Sequence, residues 1–146
     1  MADQSMNLAN QLCFSVYNAN RLFAKFYQQT LGPYHLTYPQ YLVLLALWED
    51  EPLNLYQLGT KLHLASNTLT PLLRRLETNG WITRSHPAQD KRQLIVGLTQ
   101  AGKDLKPKIE ETLAQCVRDS GGFSRESYRK LLDDNQELIA NLRRMI

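Results

Sequence analysis

Cysteine and tyrosine are the residues in this sequence whose spacing could support redox chemistry. Cys13 and Tyr17 stand four residues apart in a stretch without glycine or proline, so on a helix both side chains share one face. A lone cysteine on an apolar helix face is most often a small buried hydrophobe. Alternatively, nearby hydroxyl donors can favour its thiolate, the form that peroxides oxidise. The residues alone leave both interpretations open.

A third residue, Tyr27, shares this face but lies too far along the helix to reach the thiol. It follows Cys13 by fourteen residues, which returns it to within about 40° of the same face but ~21 Å along the axis. Tyr27 could contact Cys13 only in a second copy of the chain, with the two helices antiparallel.

The remaining candidates for covalent or metal chemistry are sparse. Cys116 is the only other cysteine, so there is no disulfide framework, and both cysteines are expected as thiols in a reducing compartment. The three histidines are scattered and no CxxC pair exists, so we expect no metal and no cofactor. Because no histidine base or oxyanion motif accompanies Cys13, a thiol peroxidase is disfavoured and we expect no enzyme.

Composition is typical of a globular protein without a membrane segment. The 146 residues are 43% hydrophobic and 21% charged, enough for one packed domain. The longest apolar run, from Tyr41 to Trp48, is too short to cross a bilayer. The amino terminus lacks the pattern of a secretory signal, so we expect a cytoplasmic protein.

Positive charge is concentrated in the middle of the chain. Between Thr60 and Lys106, eight Lys/Arg residues stand against three acids, so this segment carries +5 while the whole chain carries +3. A basic centre suggests a surface that binds a polyanion, although a solvated basic face would look the same.

The first half of the sequence predicts two helices. Apolar residues at helical spacing predict a long amphipathic helix from Asn7 to Leu31, ended by Gly32-Pro33. A largely buried helix then begins at Thr37 or Tyr38 and runs to Trp48.

Two short helices joined by a tight turn follow. Asn54 is expected to cap a helix over residues 55–62, and Ser66 to cap another through Glu77, closed by Asn79-Gly80. This arrangement is typical of a helix-turn-helix.

A β-hairpin and two more helices complete the chain. Residues 81–84 and 93–98 are predicted strands, joined by a loop whose charged tip is Asp90-Lys91-Arg92. Thr99 is expected to cap a helix to about Arg118, and Ser124 to cap a last one to about Met145. The predicted fold is mainly α with a small β-wing: a winged helix-turn-helix.

The first and the last two helices lie outside this winged core, and each carries an apolar stripe. A monomer of this size cannot easily cover all three, whereas a two-fold dimer would, and it would also match palindromic DNA. We therefore expect a single domain over 1–146, with a core at about 37–98 and dimerisation helices at about 7–33 and 100–146.

Four local motifs accompany these elements: Asn-Gln-Leu-Cys-Phe-Ser-Val-Tyr at 10–17, Leu-Thr-Tyr-Pro-Gln-Tyr at 36–41, Thr-Leu-Thr-Pro-Leu-Leu-Arg-Arg-Leu-Glu at 68–77, and Asp-Lys-Arg at 90–92 leading into Leu98-Thr99. Together with the order of the elements, they resemble the MarR family of winged-helix transcriptional regulators, in particular its branch that senses organic peroxides and oxidants through a thiol. The resemblance covers nearly the whole chain.

The resemblance implies a homodimer that binds a pseudo-palindromic operator in double-stranded DNA. The helix over residues 66–77 would enter the major groove, with short polar side chains reading bases and arginines reaching phosphate. Its candidate DNA-binding residues are Ser66, Asn67, Thr68, Thr70, Arg74 and Arg75. An ordinary capped surface helix is the structural alternative.

In the wing, the resemblance implies that Arg92 enters the minor groove and that Asp90 holds it. Negative potential in a narrow groove attracts a guanidinium group. His86, Gln89 and Lys91 are candidate phosphate contacts. The alternative is a surface salt bridge of little energetic consequence.

The resemblance also implies that Tyr17, Tyr27 and Tyr38 donate hydrogen bonds to a reactive Cys13 across the dimer. Oxidation to a sulfenic acid, followed by condensation with a low-molecular-weight thiol or a protein cysteine, would release the operator and end repression. Cys116 is a candidate resolving cysteine, with a bystander role as the alternative.

One competing hypothesis keeps the fold but replaces oxidation with a small aromatic ligand bound between the helical arms and the core. Phe14, Tyr17, Phe23 and Trp48 could line such a pocket, although core packing also explains them.

Overall fold

A computed structural model describes residues 7–8 and 11–146 of the chain. Contacts divide the chain into two compact units, one ending at Ile109 and one from Glu110 to Ile146. The elements are α1 (Leu12–Leu31), a 3₁₀ turn (Gly32–Tyr34), α2 (Tyr38–Glu49), β1 (Leu53–Asn54), α3 (Leu55–Leu62), α4 (Ser66–Thr78), β2 (Ile82–Ser85), β3 (Ile95–Leu98), α5 (Gln100–Ser120) and α6 (Arg125–Met145). This mainly α fold with a small sheet is the predicted winged helix.

Helix α1 starts later than predicted. It begins at Leu12, while Asn7 and Leu8 precede it in non-α conformation and residues 9–10, predicted as helix, lie outside the described part. Its last residues are buried, but its apolar residues from Leu12 to Phe23 are largely exposed in the single chain. The 3₁₀ turn at Gly32–Tyr34 ends it as expected.

Helix α2 is the buried centre of the first unit, as predicted. A capping box starts it: the Thr37 hydroxyl accepts a hydrogen bond from the Gln40 backbone, and the Gln40 side chain accepts one from the Thr37 backbone. Such reciprocal bonds satisfy amides that the first helical turn leaves unpaired. Leu44 and Leu47 of this helix are completely buried.

Helices α3 and α4 form the helix-turn-helix. Asn54 caps α3 in a second capping box with Gln57. The turn between the helices is tight: a Cβ on Gly59 would lie 2.8 Å from the Leu64 carbonyl oxygen, so a glycine is needed there.

The predicted role of Ser66 as a helix cap is wrong by one residue. Ala65 occupies the cap position of α4 without a side-chain bond, and Ser66 is the first helical residue. The carbonyl oxygen of Ala65 accepts hydrogen bonds from the backbone amides of both Thr68 and Leu69. The helix therefore already includes Ser66, which cannot serve as its cap.

The sheet has three short antiparallel strands in the order β1-β3-β2. Strands β2 and β3 form the predicted hairpin, with Ile82 opposite Leu98 and Ser85 opposite Ile95. Both are shorter than or shifted from the predicted ranges. Strand β1 was not predicted because a two-residue strand is too short to show an alternating pattern.

Thr99 caps α5, as predicted, and fixes its start against the sheet. The Thr99 hydroxyl accepts from the Gly102 amide at 3.0 Å and donates to the Gly80 carbonyl at 2.6 Å. The Trp48 indole donates to the Gly102 carbonyl at 2.9 Å, and a Cβ on Gly102 would clash with the Trp81 carbonyl. These contacts join α2, the sheet and α5.

The second unit contains the end of α5 and all of α6, which Ser124 caps as predicted. No side chain from Glu110 to Ile146 is fully buried. Its large exposed apolar side chains are Val117, Phe123, Tyr128, Leu131, Leu132, Ile139, Leu142, Met145 and Ile146. Across the described residues, none of the helices combines the length and apolar character that a bilayer span requires.

Candidate nucleic-acid interface and redox site

The first turn of α4 presents short polar side chains to solvent. Ser66, Asn67 and Thr68 are exposed, while their neighbours Leu69 and Leu73 are completely buried against the core. Thr70 is half-buried, and its hydroxyl donates to the Ser66 carbonyl at 2.8 Å. The helix therefore has one anchored face and one face whose polar groups are available to a partner.

Two adjacent arginines continue this surface near the end of α4. Arg74 and Arg75 are exposed, and no carboxylate among the described residues forms an ion pair with either. They remain available to an anion such as a DNA phosphate.

The wing tip is ordered by one carboxylate. Asp90 Oδ1 accepts from the Arg92 backbone at 3.0 Å and lies 3.4 Å from the Arg92 Nε. The Arg92 side chain is still 95% exposed. Asp90 thus fixes the base of an arginine whose remaining guanidinium donors project into solvent.

The other wing candidates lie around this arginine. His86 Nδ1 is 2.7 Å from the Gln93 carbonyl oxygen, a contact that joins the two sides of the hairpin loop and requires a proton on Nδ1. Gln89 and Lys91 are exposed.

An ion pair that the sequence did not predict connects the end of α4 with β2. Arg84 Nη2 donates to Glu77 Oε1 at 3.0 Å, and this hydrogen bond, together with the arginine's charge, lowers the pKa of Glu77 despite an opposing effect of desolvation. The pair thereby couples the orientation of the helix to that of the wing. In the sequence, Glu77 and Arg84 are two charged residues among many, and no spacing rule predicts that they form an ion pair.

Glu51 is a second unpredicted link, at the opposite end of the wing. Its Oε2 accepts from the Leu98 backbone amide at 2.7 Å, and its Oε1 lies 3.5 Å from the Lys103 ammonium group. One carboxylate therefore connects the segment after α2 with β3 and α5.

Cys13 lies in the first turn of α1 and is exposed in the single chain. Its sulfur is therefore accessible to solvent in the single chain. Tyr17, one turn further on, is also exposed and has the Arg21 guanidinium 5.8 Å from its ring centre.

The other two candidate tyrosines lie together at the far end of α1. The rings of Tyr27 and Tyr38 stack with centroids 4.4 Å apart, and Tyr41 lies 5.9 Å from Tyr27. Tyr41 in turn contacts Trp48, edge to face. This aromatic cluster (Tyr27, Tyr38, Tyr41 and Trp48) connects the end of α1 to the core helix α2.

The remaining predicted residues are distributed over the chain. Cys116 is a half-exposed free thiol of α5 in the second unit. Of the four aromatics considered for a ligand pocket, Phe14, Tyr17 and Phe23 are exposed along α1, whereas Trp48 is held in the aromatic cluster. Within the described residues, no group of three or more His, Cys, Asp or Glu could hold a metal.

Comparison with known proteins identifies the chain. The model of the MarR family matches residues 36–94. The HTH-type transcriptional regulator TtmR of Methylorubrum extorquens is 44% identical over 132 residues, 90% of this chain and 67% of that protein. The organic hydroperoxide resistance transcriptional regulator of Bacillus subtilis is 47% identical over 119 residues, 80% and 81% of the two chains.

The chain belongs to the MarR family. The relatives that match this MarR protein are transcriptional regulators, and they lend no support to a thiol peroxidase. Among solved structures, reduced AbfR bound to DNA matches with a TM-score of 0.86 and 44% identity over 99% of both chains. AbfR is a protein of Staphylococcus epidermidis and has also been solved with a disulfide formed, where the match has a TM-score of 0.71 over 96% of this chain and 92% of that one.

Proposed function

We propose that this MarR protein is a dimeric DNA-binding repressor that releases its operator when Cys13 is oxidised to a disulfide. The observation that carries the proposal is an exposed thiol in the first turn of α1, in a chain that matches the DNA-bound reduced form of AbfR over its full length.

The DNA-binding half of the proposal follows from the geometry of α4 and the wing. The polar first turn of α4 contacts base edges in the major groove, and Arg74 and Arg75 contact the flanking backbone. Arg92 enters the minor groove, held at its base by Asp90. The segment from Thr60 to Lys106, which contains these elements, carries a net charge of +5.

The dimer is supported by apolar surface that the single chain leaves uncovered. Leu12, Val16 and Phe23 are exposed on α1, and Leu131 and Leu142 are exposed on α6. Monomers rarely leave such long apolar stripes in water. A two-fold pairing through these helices covers them and places two copies of α4 on one face of a palindromic operator.

In the redox half, the Cys13 thiolate attacks the distal oxygen of a hydroperoxide. The O–O bond breaks, the alkoxide leaves and takes up a proton, and Cys13 becomes a sulfenic acid. In an antiparallel pairing of the α1 helices, Tyr27 and Tyr38 of one protomer lie near Cys13 of the other, where their hydroxyl groups stabilise the thiolate.

Release follows in a second step. A thiol attacks the sulfenic acid, water leaves, and a disulfide forms. AbfR has also been solved overoxidised on DNA, so in that relative added oxygen alone does not prevent DNA binding. We therefore assign release here to the disulfide, whose bulk displaces the aromatic cluster and with it α2 and the helix-turn-helix.

The thiol that completes this step is either a low-molecular-weight thiol or Cys116. Mass spectrometry after treatment with cumene hydroperoxide and cysteine distinguishes them: a Cys13–Cys116 crosslink identifies Cys116 as the resolving residue, and a cysteine adduct on Cys13 makes it a bystander. Cellular thiols can reduce the Cys13 disulfide again only in a reducing compartment, so we place the protein in the cytoplasm.

Selection of binding sites tests the DNA-binding function directly. The reduced protein is incubated with a library of random duplexes, and bound sequences are amplified over several rounds. The proposal expects enrichment of a two-fold symmetric motif with half-sites about one helical turn apart. No enrichment over the starting library would exclude sequence-specific binding.

A further inference from the structure

A cleft of about 380 Å³ lies between the start of α2 and the end of α4. One wall is the loop and first turn of α2, with His35, Thr37 and Gln40. The other wall is the last part of α4, with Arg74, Arg75 and Thr78. All of these residues belong to the first compact unit.

The charge of this cleft is entirely positive. Two arginines line it, and its lining includes neither aspartate nor glutamate. Among the described residues, the carboxylate that α4 does supply, Glu77, is engaged with Arg84 instead. Two guanidinium groups beside the amino-terminal end of a helix form an attractive environment for an anion.

Gln40 supplies an independent sign of a ligand. Its residue is only 2% exposed, and its Oε1 is committed to the Thr37 backbone amide in the capping box. The side-chain NH₂ group forms no hydrogen bond within residues 7–8 and 11–146, and among these residues it is not one of the donors sealed from solvent. Because Gln40 lines the cleft, this amide donor is available to an acceptor that enters it.

We propose that this cleft binds a single phosphate group, held by Arg74, Arg75 and the side-chain NH₂ of Gln40. A tetrahedral phosphate offers several acceptor oxygens, so it can pair with both arginines and with the amide at once. The phosphate comes either from the DNA backbone or from free phosphate in solution. In the first case the inference rests on the proposed DNA-binding function and extends the DNA-contacting surface from α4 to the start of α2.

The substitution Gln40→Glu tests the site without disturbing the cap. Glutamate keeps the oxygen that accepts from Thr37 and preserves the capping box, but it replaces the NH₂ donor with a negative charge. Gln57→Glu is the matched control, because Gln57 has the same capping role at the start of α3. Arg75→Ala is a second variant, which removes one guanidinium group and leaves both caps intact.

The first measurement uses inorganic phosphate and the free dimer. Titration is followed by the ¹H–¹⁵N signal of the Gln40 side-chain amide in the wild type and by backbone signals of residues 35–40 in all variants. We expect saturable binding that is weakened about tenfold or more by Gln40→Glu and by Arg75→Ala, and unchanged by Gln57→Glu.

The second measurement uses the operator duplex selected by the wild-type protein. An affinity at least about tenfold lower for Gln40→Glu than for Gln57→Glu assigns the cleft to a backbone phosphate. Loss of phosphate binding with equal operator affinity in the two variants assigns it to free phosphate. If Gln40→Glu and Gln57→Glu behave alike in both measurements, the proposal is wrong. A wild-type protein that selects no operator would count against the DNA-binding function and leave the phosphate titration to decide this site.

Discussion

At the scale of single residues, the proposed sensor consists of one sulfur and the tyrosine hydroxyl groups that would donate hydrogen bonds to it. Cys13 lies at the positive end of α1 but has no buried environment of its own in the single chain. The rings of Tyr27 and Tyr38 stack within the aromatic cluster, so both side chains are already positioned in the single chain, without a second protomer. Such preorganisation favours a hydrogen bond to a charged acceptor.

Tyr27→Phe should slow the oxidation of Cys13 while the fold is retained. The ring keeps its stacking on Tyr38, but one hydroxyl donor to the thiolate is lost, and a hydrogen bond to a charged group contributes about 1.5–3 kcal/mol. We expect a second-order rate constant with cumene hydroperoxide that is lower by about tenfold or more, measured by stopped-flow trapping of the sulfenic acid. Tyr56→Phe, at an exposed tyrosine of α3, is the control, and an equal rate in both variants would remove Tyr27 from the sensor.

At the scale of elements, the wing and α4 have to be held in a fixed relation if they are to read adjacent grooves. The Glu77–Arg84 ion pair links the end of α4 to β2. Glu51, in the segment after α2, contacts both β3 and α5. At the wing tip, Asp90 accepts a hydrogen bond from the Arg92 backbone.

Arg92→Ala should weaken specific operator binding by about tenfold to a hundredfold. The substitution removes the guanidinium group that we propose for the minor groove, and contacts of this type contribute about 1–3 kcal/mol of discrimination. Fluorescence anisotropy with the selected operator measures the loss, and circular dichroism and sedimentation check that fold and dimer persist. Arg125→Ala, at the start of α6, serves as a control for net charge. Operator affinity that is the same for both variants would discard the assignment of the wing.

Glu51→Ala should destabilise the wing at the end of β3, where Glu51 accepts a hydrogen bond from the Leu98 amide. The Leu98 amide loses its charge-assisted acceptor, which costs about 1–2 kcal/mol in the free energy of unfolding. Hydrogen exchange at the Leu98 amide should accelerate by a matching factor, and urea denaturation gives the stability. Glu49→Ala is the comparison, since the exposed Glu49–Lys61 pair is worth at most about 1 kcal/mol. Protection at Leu98 that does not change would show that Glu51 does not hold β3.

The elements themselves were largely predictable, because caps and breakers are local signals. Thr37, Asn54, Thr99 and Ser124 stand where their short side chains cap helices, and each does so. The prediction that Ser66 caps α4 was wrong because the tight turn before α4 places Ala65 at the cap position. Strand β1 and the contacts of Glu51 were not predictable, because they join residues more than forty positions apart.

At the scale of the whole molecule, the apolar surfaces of α1 and α6 require a partner. The second unit has no fully buried side chain of its own, so its helices gain stability only from what they pack against. This is also why one chain cannot complete the proposed redox site: Cys13 lies at the start of α1, whereas Tyr27 lies near its end and Tyr38 at the start of α2.

Leu142→Asp should convert the dimer into a monomer. A carboxylate in the apolar stripe of α6 would be buried without a partner on dimerisation, so sedimentation velocity at micromolar concentration should shift to the monomer mass. Ala140→Asp introduces the same group ~160° away around the helix and should leave the dimer intact. A Leu142→Asp variant that remains dimeric would place the interface elsewhere.

In the proposed mechanism, a disulfide at Cys13 controls operator release. The decisive measurement is operator affinity, by fluorescence anisotropy, after treatment with cumene hydroperoxide and free cysteine, for the wild type, Cys13→Ser and Cys116→Ser. We predict that the wild type loses at least about a hundredfold in affinity, that dithiothreitol restores it, and that Cys13→Ser stays bound throughout. Release of Cys13→Ser by the same treatment, or a wild type that stays bound with a disulfide at Cys13, would contradict the account.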